Sequence, residues 1–113
     1  MTSASLKPLL ITAAALALAC GSLSAFASGD PVEGKKLVYT CTGCHGIEGY
    51  KNAYPNYHVP KLGGQQEAYL INALTEYKNG VRKHPTMHAQ AESFSATDIA
   101  NIAAYLSSLT PHK

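Results

Sequence analysis

The residues best equipped for chemistry are the pentapeptide Cys41-Thr42-Gly43-Cys44-His45. Two thiols three positions apart, followed at once by an imidazole, suit three chemistries: dithiol–disulfide exchange, part of a structural zinc site, or covalent attachment of a haem. On a helical turn, positions i, i+3 and i+4 share one face. Cys41 and Cys44 then reach the two vinyl groups of one porphyrin as thioethers, and His45 offers its imidazole to the iron from the same side. Dithiol exchange of the thioredoxin kind expects a strand–helix–strand setting, and no alternating strand pattern of useful length occurs. A structural zinc needs four ligands; there is no second C-x-x-C, and other histidines would have to complete the set. The CXXCH spacing is therefore read as a haem-attachment site for one covalently bound haem.

The ligand on the far side of the iron decides between electron transfer and ligand chemistry. Met87 is the one methionine left once the initiator segment is removed, within His84-Pro85-Thr86-Met87-His88. That stretch is expected to be a rigid, proline-containing loop able to cover the other porphyrin face. Histidine/methionine coordination raises the reduction potential and leaves no open position for oxygen or peroxide. A methionine filling a gap in the core is the plainer alternative. His84 or His88 in place of Met87 would give a bis-histidine site of lower potential.

Three main helices would position these groups, and the fold class is all-α. The first opens at Asp30-Pro31, an N-cap followed by proline at the first helical position, and runs to about Tyr39 or Thr40. Gly46 to Gly64 reads as a loop broken by Gly46, Gly49, Pro55, Pro60, Gly63 and Gly64; its tyrosines (Tyr50, Tyr54, Tyr57) suit a segment that wraps something. A second helix, about Gln65 to Asn79, carries Tyr69, Leu70, Ala73, Leu74 and Tyr77 at helical spacing and stops at Gly80. Gly80 to Ser93 is expected to be irregular. The last helix starts at Ser95, with Asp98 completing a capping box. It carries Ile99, Ile102, Ala103, Leu106 and Leu109 as a stripe, ending before Pro111.

The 113 residues divide into an address and one small domain. Lys7-Pro8 precedes an uncharged stretch from Leu9 to Ser28, and Ala25-Phe26-Ala27 has the small-residue spacing read by a signal peptidase. Residues 1–27 are expected to be a signal peptide and residues 28–113 the mature domain, about 86 residues. The alternatives are a lipoprotein leader ending before Cys20, since Leu16-Ala17-Leu18-Ala19-Cys20 has the pattern of a lipobox, and an uncleaved anchor. Export supports the haem reading, because haem is joined to this motif outside the bacterial cytoplasm. The net charge of +2 falls to +1 without Lys7, and no basic stripe points to nucleic acid. A domain this small is near the size at which a polypeptide core alone is marginal and a prosthetic group helps.

On these residues the chain resembles the class I c-type cytochromes, in particular the small bacterial single-haem type related to the halves of tandem two-haem cytochromes. The likeness extends over the mature chain. Gly34 and Tyr39 match the family's first helix where it meets the last, and Tyr105 matches the aromatic across that crossing. Pro60-x-Leu62-x-Gly64-Gln65, Tyr69-Leu70 and Gly80-x-Arg82 match the stretch leading to the distal methionine. The resemblance implies that the Pro60 carbonyl accepts the proton of the His45 ring nitrogen facing away from iron, with Pro55 the less favoured candidate. It implies a periplasmic carrier of single electrons, not an enzyme, whose partners are redox proteins such as a respiratory complex, a dehydrogenase or a terminal oxidase. A dedicated haem subunit of a dehydrogenase or oxidase is the second reading, and a gas sensor or peroxidase with an open iron the third. Membrane attachment follows only if the leader is retained or lipidated. Lys51, Lys61, Lys78, Arg82 and Lys83 are candidates to ring a docking patch, and Tyr54, Tyr57, Tyr69 and Tyr77 to pack around the porphyrin or bond its propionates. The histidines flanking Met87 depart from the apolar neighbours usual in the family.

Overall fold

The computed structural model describes residues 28–47 and 59–110, and among these every regular element is helical. Residues 1–27, Cys20 among them, and Tyr50, Lys51, Tyr54, Pro55 and Tyr57 lie outside the described residues, and so do the expectations attached to them.

The Asp30 carboxylate accepts the Val32 N–H at 2.8 Å, and Pro31 takes the first helical position of α1 (Pro31–Leu37). The chain then tightens into a 3₁₀ turn, Val38–Cys41, and relaxes into one α-helical turn, α2 (Thr42–His45). Helical backbone thus runs without a break from the cap to the imidazole. Gly46 ends it at φ 63°, its N–H donating to Thr42 O at 3.0 Å. This left-handed stop suits glycine, which carries no Cβ to clash.

The second expected helix is α3 (Glu67–Lys78), buried along Leu70 and Ala73 and ended by Gly80 at φ 73°. The segment Gly80–Ser93 is not irregular throughout: it carries α4 (Pro85–Ala91). Proline breaks a helix from the interior, whereas at the first position its missing N–H costs nothing. The cap is His84, whose Nδ1 accepts the Met87 N–H at 3.3 Å. Met87 is therefore carried on a short helix and not in a loop. The last element, α5 (Ala96–Ser108), has the expected capping box in full: Ser95 Oγ accepts from the Asp98 N–H at 3.0 Å, and Asp98 accepts from the Ser95 N–H at 2.8 Å.

Helix α5 is the central element: α1 and α3 pack on it, and α4 rests on α3. Val38, Ile47, Leu70, Ile102, Ala103, Tyr105 and Leu106 form the buried core, with Cys41 at its border. The α1–α5 crossing is close because glycines stand where side chains would collide. A Cβ on Gly34 would lie 1.9 Å from Asn101 O, and one on Gly29 2.1 Å from Ala100 O. Asn101 Oδ1 also accepts the Asp30 N–H at 2.7 Å, fastening the start of α1 to α5. Gly34 and Tyr105 meet here as expected, but Tyr39 does not: it is 78% exposed, while Val38 beside it is 2% exposed and takes the inward position. Val38 stands four residues after Gly34 and so shares its face, whereas Tyr39 lies one residue further round the helix. No described helix is long and apolar enough to cross a membrane.

Candidate functional site

The turn that carries the two thiols stands on the core through its first cysteine. Cys41 is half-buried against the core cluster, whereas Cys44, one turn later, is exposed, and both are free thiols. Burial pushes the Cys41 thiol above its usual range, with the neighbouring Cys44 adding to the effect and a hydrogen bond involving Thr40 opposing it. No three His, Cys, Asp or Glu side chains converge anywhere among the described residues, so a zinc site finds no ligand set there.

His45 closes the same turn, and its orientation is set from another part of the chain. Its Nδ1 lies 2.8 Å from the carbonyl oxygen of Pro60, to which it donates when that nitrogen bears the proton. This tautomer leaves the Nε2 lone pair for a metal, the arrangement that typically fixes and enriches an imidazole ligand. The Pro60 carbonyl is held in place in turn. Gly64, at φ 80°, donates its N–H to Leu106 O at 2.9 Å, the Gln65 N–H donates to Leu62 O at 3.2 Å, and the Gln65 side-chain amide donates to Lys61 O at 3.3 Å. The segment from Pro60 to Gln65 is thus a tight turn docked on the C-terminal end of α5. Between it and the attachment turn opens a cleft of about 250 Å³, lined by Cys44 and His45 and by the apolar side chains of Ile47, Val59, Leu62 and Leu109.

Met87 comes from a different element, half-buried on α4. The two histidines that compete with it are both engaged locally. His84 uses Nδ1 to cap α4 and sets its ring edge-on against Tyr77, with centroids 6.2 Å apart and planes at 80°. His88 Nδ1 lies 2.8 Å from Tyr77 O, and its Nε2 lies 3.8 Å from a Glu92 carboxylate oxygen. These contacts were not legible beforehand. The sequence signal for the helix itself was the His84-Pro85 pair, a cap followed by proline like Asp30-Pro31.

The expected basic ring is only partly solvated. Lys61 and Lys83 are exposed. Lys78 donates instead to the Phe94 carbonyl, closing the end of α3 onto the start of α5. Arg82 lies over the rings of Tyr77 and Tyr69, with its guanidinium carbon 5.1 Å and 5.9 Å from their centroids, and its Nε is 3.4 Å from Glu76. Tyr69 and Tyr77 thus serve as a seat for this arginine.

The donor set fits a covalently held haem. One turn supplies two thiols and an imidazole, a carbonyl fixes that imidazole from behind, and an apolar cleft opens beside it. Comparison with known proteins agrees. Residues 31–110 match the family model for cytochrome c. The chain is 40% identical over 84 residues to cytochrome c-554(548) of Halomonas halodenitrificans, covering 72% of this chain and 98% of that protein. It is 39% identical over 84 residues to cytochrome c4 of Pseudomonas aeruginosa, covering 74% of this chain but 40% of the relative, so the chain spans less than half of that protein's length. The cytochrome subunit of sulfide dehydrogenase from Chlorobaculum tepidum is 30% identical over 112 residues, covering 89% of this chain and 96% of the subunit. With all-helical architecture, attachment turn and relatives in agreement, the chain belongs to the cytochrome c family, proteins that transfer electrons with a covalently bound haem c.

Proposed function

We propose that this chain is a periplasmic single-haem cytochrome carrying single electrons between redox partner proteins, and that it catalyses no reaction of its own. In this reading Cys41 and Cys44 would hold the haem as thioethers, and His45 Nε2 and the Met87 sulfur would bind its iron. The observation that carries it is the 2.8 Å contact from His45 Nδ1 to Pro60 O, because it commits the imidazole beside the two thiols to ligation through its other nitrogen. When bound, the haem supplies a one-electron couple between ferric and ferrous iron.

The protein's own residues do the rest. The Pro60–Gln65 turn holds the His45 imidazole at a fixed orientation, and in this reading Met87, carried on α4, would reach the iron from its other side. Ile47, Val59, Leu62 and Leu109 give the cleft its apolar wall. An iron so held by two side chains would be suited to transfer between proteins, which meet over small contacts, typically below about 1,200 Å². Residues 1–27 deliver the domain to the periplasm. The test is to mix the reduced native protein with carbon monoxide. Closed coordination gives no rapid binding, and a fast spectral change to a carbonyl adduct would replace this reading with that of a sensor or peroxidase.

One observation favours a second reading, a haem subunit dedicated to a dehydrogenase: the sulfide dehydrogenase cytochrome subunit aligns over nearly the full length of both chains. Size measurement of the native protein in a gentle extract of its host separates the two. A free carrier runs at the size of the domain alone, and a subunit runs with a flavoprotein or quinoprotein.

A further inference from the structure

Two contacts that tie α4 to α3 share a single residue, Tyr77. Its ring takes the edge of the His84 ring, and its main-chain carbonyl lies 2.8 Å from His88 Nδ1. Tyr77 is itself held. The guanidinium of Arg82 lies 5.1 Å from its ring centroid and 5.9 Å from that of Tyr69, within the range of a cation–π contact. Arg82 cannot drift readily from this seat, because its Nε is 3.4 Å from Glu76 Oε2 and its own N–H donates to Glu76 O at 3.1 Å. Along the chain Arg82 stands between the Gly80 stop of α3 and the His84 cap of α4. The connection between the two helices is therefore folded back on α3 and fixed there, just ahead of the helix that carries Met87.

We propose that Arg82 and Tyr77 are positioning residues that fix α4 on α3 and so keep the Met87 sulfur on the haem iron; the inference rests on Met87 being the distal ligand. A thioether is a neutral and weakly binding group, so how often it leaves depends on the freedom of the helix that carries it. Arginine suits the task better than lysine, since its planar fork stacks on aromatic faces while pairing with a carboxylate. The side chain is half-buried, and the role depends on its shape and not on a buried charge.

The experiment uses the haem-loaded ferric protein mixed rapidly with imidazole. Replacement of the sulfur is followed by loss of the near-infrared methionine-to-iron band. Arg82→Gln and Tyr77→Leu are expected to exchange about tenfold faster than the parent, equivalent to about 1.4 kcal/mol. Tyr77→Phe, which keeps the ring and the main-chain carbonyl, restores slow exchange. Ser95→Ala removes the cap of α5 without touching α4 and serves as the control for general loosening; it does not accelerate exchange. Parent-like rates in both Arg82→Gln and Tyr77→Leu overturn the inference, as does equal acceleration in Ser95→Ala. Absence of the band in the unmutated protein is a separate failure: it removes Met87 as ligand, and the positioning role falls with it.

Discussion

Replacing Gly34 with alanine should cost the domain a large part of its stability, because the new methyl group has nowhere to go. Its carbon would lie 1.9 Å from Asn101 O, 2.6 Å from Asn101 C and 2.9 Å from Tyr105 Cβ. A carbon and a carbonyl oxygen approach to about 3.3 Å even in a favourable contact, so α1 and α5 must part by about 1.4 Å at their crossing. The obstacle is backbone within a helix, and no rotamer change relieves it. Parting also loosens Val38 against Ile102 and Tyr105, and a gap of about 0.5–1 Å already forfeits a quarter to a half of a dispersion contact. Overpacking typically costs about 1–3 kcal/mol, and a clash with rigid backbone belongs at the upper end. For a domain of this size about 3 kcal/mol corresponds to a fall in Tm of roughly 12–24 °C. The assay is thermal unfolding of the haem-loaded protein by far-ultraviolet circular dichroism, with Gly43→Ala alongside. A Cβ on Gly43 meets nothing within 4 Å, so the same chemical change there should be neutral or stabilising by about 0.5–1 kcal/mol. If both variants melt within about 3 °C of the parent, the close approach of these helices is not what the glycine serves.

Three further outcomes are expected. Met87→Ala should abolish the near-infrared methionine band of the ferric protein, lower its reduction potential and let carbon monoxide bind the reduced form rapidly; retention of the band would assign the distal position elsewhere. Gly46→Ala forces a side chain into the left-handed region at φ 63°, with a cost of about 1–2 kcal/mol visible as a lower denaturant midpoint. The Asp98 carboxyl is held below its usual range by the Ser95 hydroxyl first and the Ser95 N–H second. A depressed folded pKa contributes stability above the unfolded value, and that stability is lost as pH falls through the folded one. The penalty of Asp98→Asn should therefore be largest at neutral pH and shrink below about pH 4; a penalty that does not change with pH would contradict the linkage.

What could be read in the sequence was what depends on local rules. Asp30-Pro31, the Ser95–Asp98 box and the Gly80 stop each declare themselves within four residues, and each helix they bound was found close to its expected limits. The helical turn that brings Cys41, Cys44 and His45 together was equally plain, since the three reactive groups stand three and four positions apart. The proximity of His45 and Pro60 followed from resemblance and not from pattern, because they stand 15 positions apart and any residue could supply a carbonyl. Helix α4 was missed for a physical reason. Pro85 was weighed as a breaker of regular structure, although behind a capping His84 it marks a start. Tyr39 was misplaced because the resemblance was carried onto the aromatic residue itself, whereas Val38, four residues from Gly34, shares the glycine's face and takes the inward position. The seat of Arg82 on Tyr69 and Tyr77 is tertiary geometry, which charge and spacing alone do not encode.

The claim on which the rest depends is that both sulfurs of the turn are joined to one haem. Acid–acetone extraction of protein purified from an exporting bacterial host, followed by an intact mass and a pyridine haemochrome spectrum, tests it in one preparation. The colour should stay with the precipitated polypeptide, the mass should exceed that of residues 28–113 by one haem, and the spectrum should report two thioether bonds. Colour passing wholly into the acetone, or a mass equal to the bare polypeptide, would show that Cys41 and Cys44 are not the point of attachment.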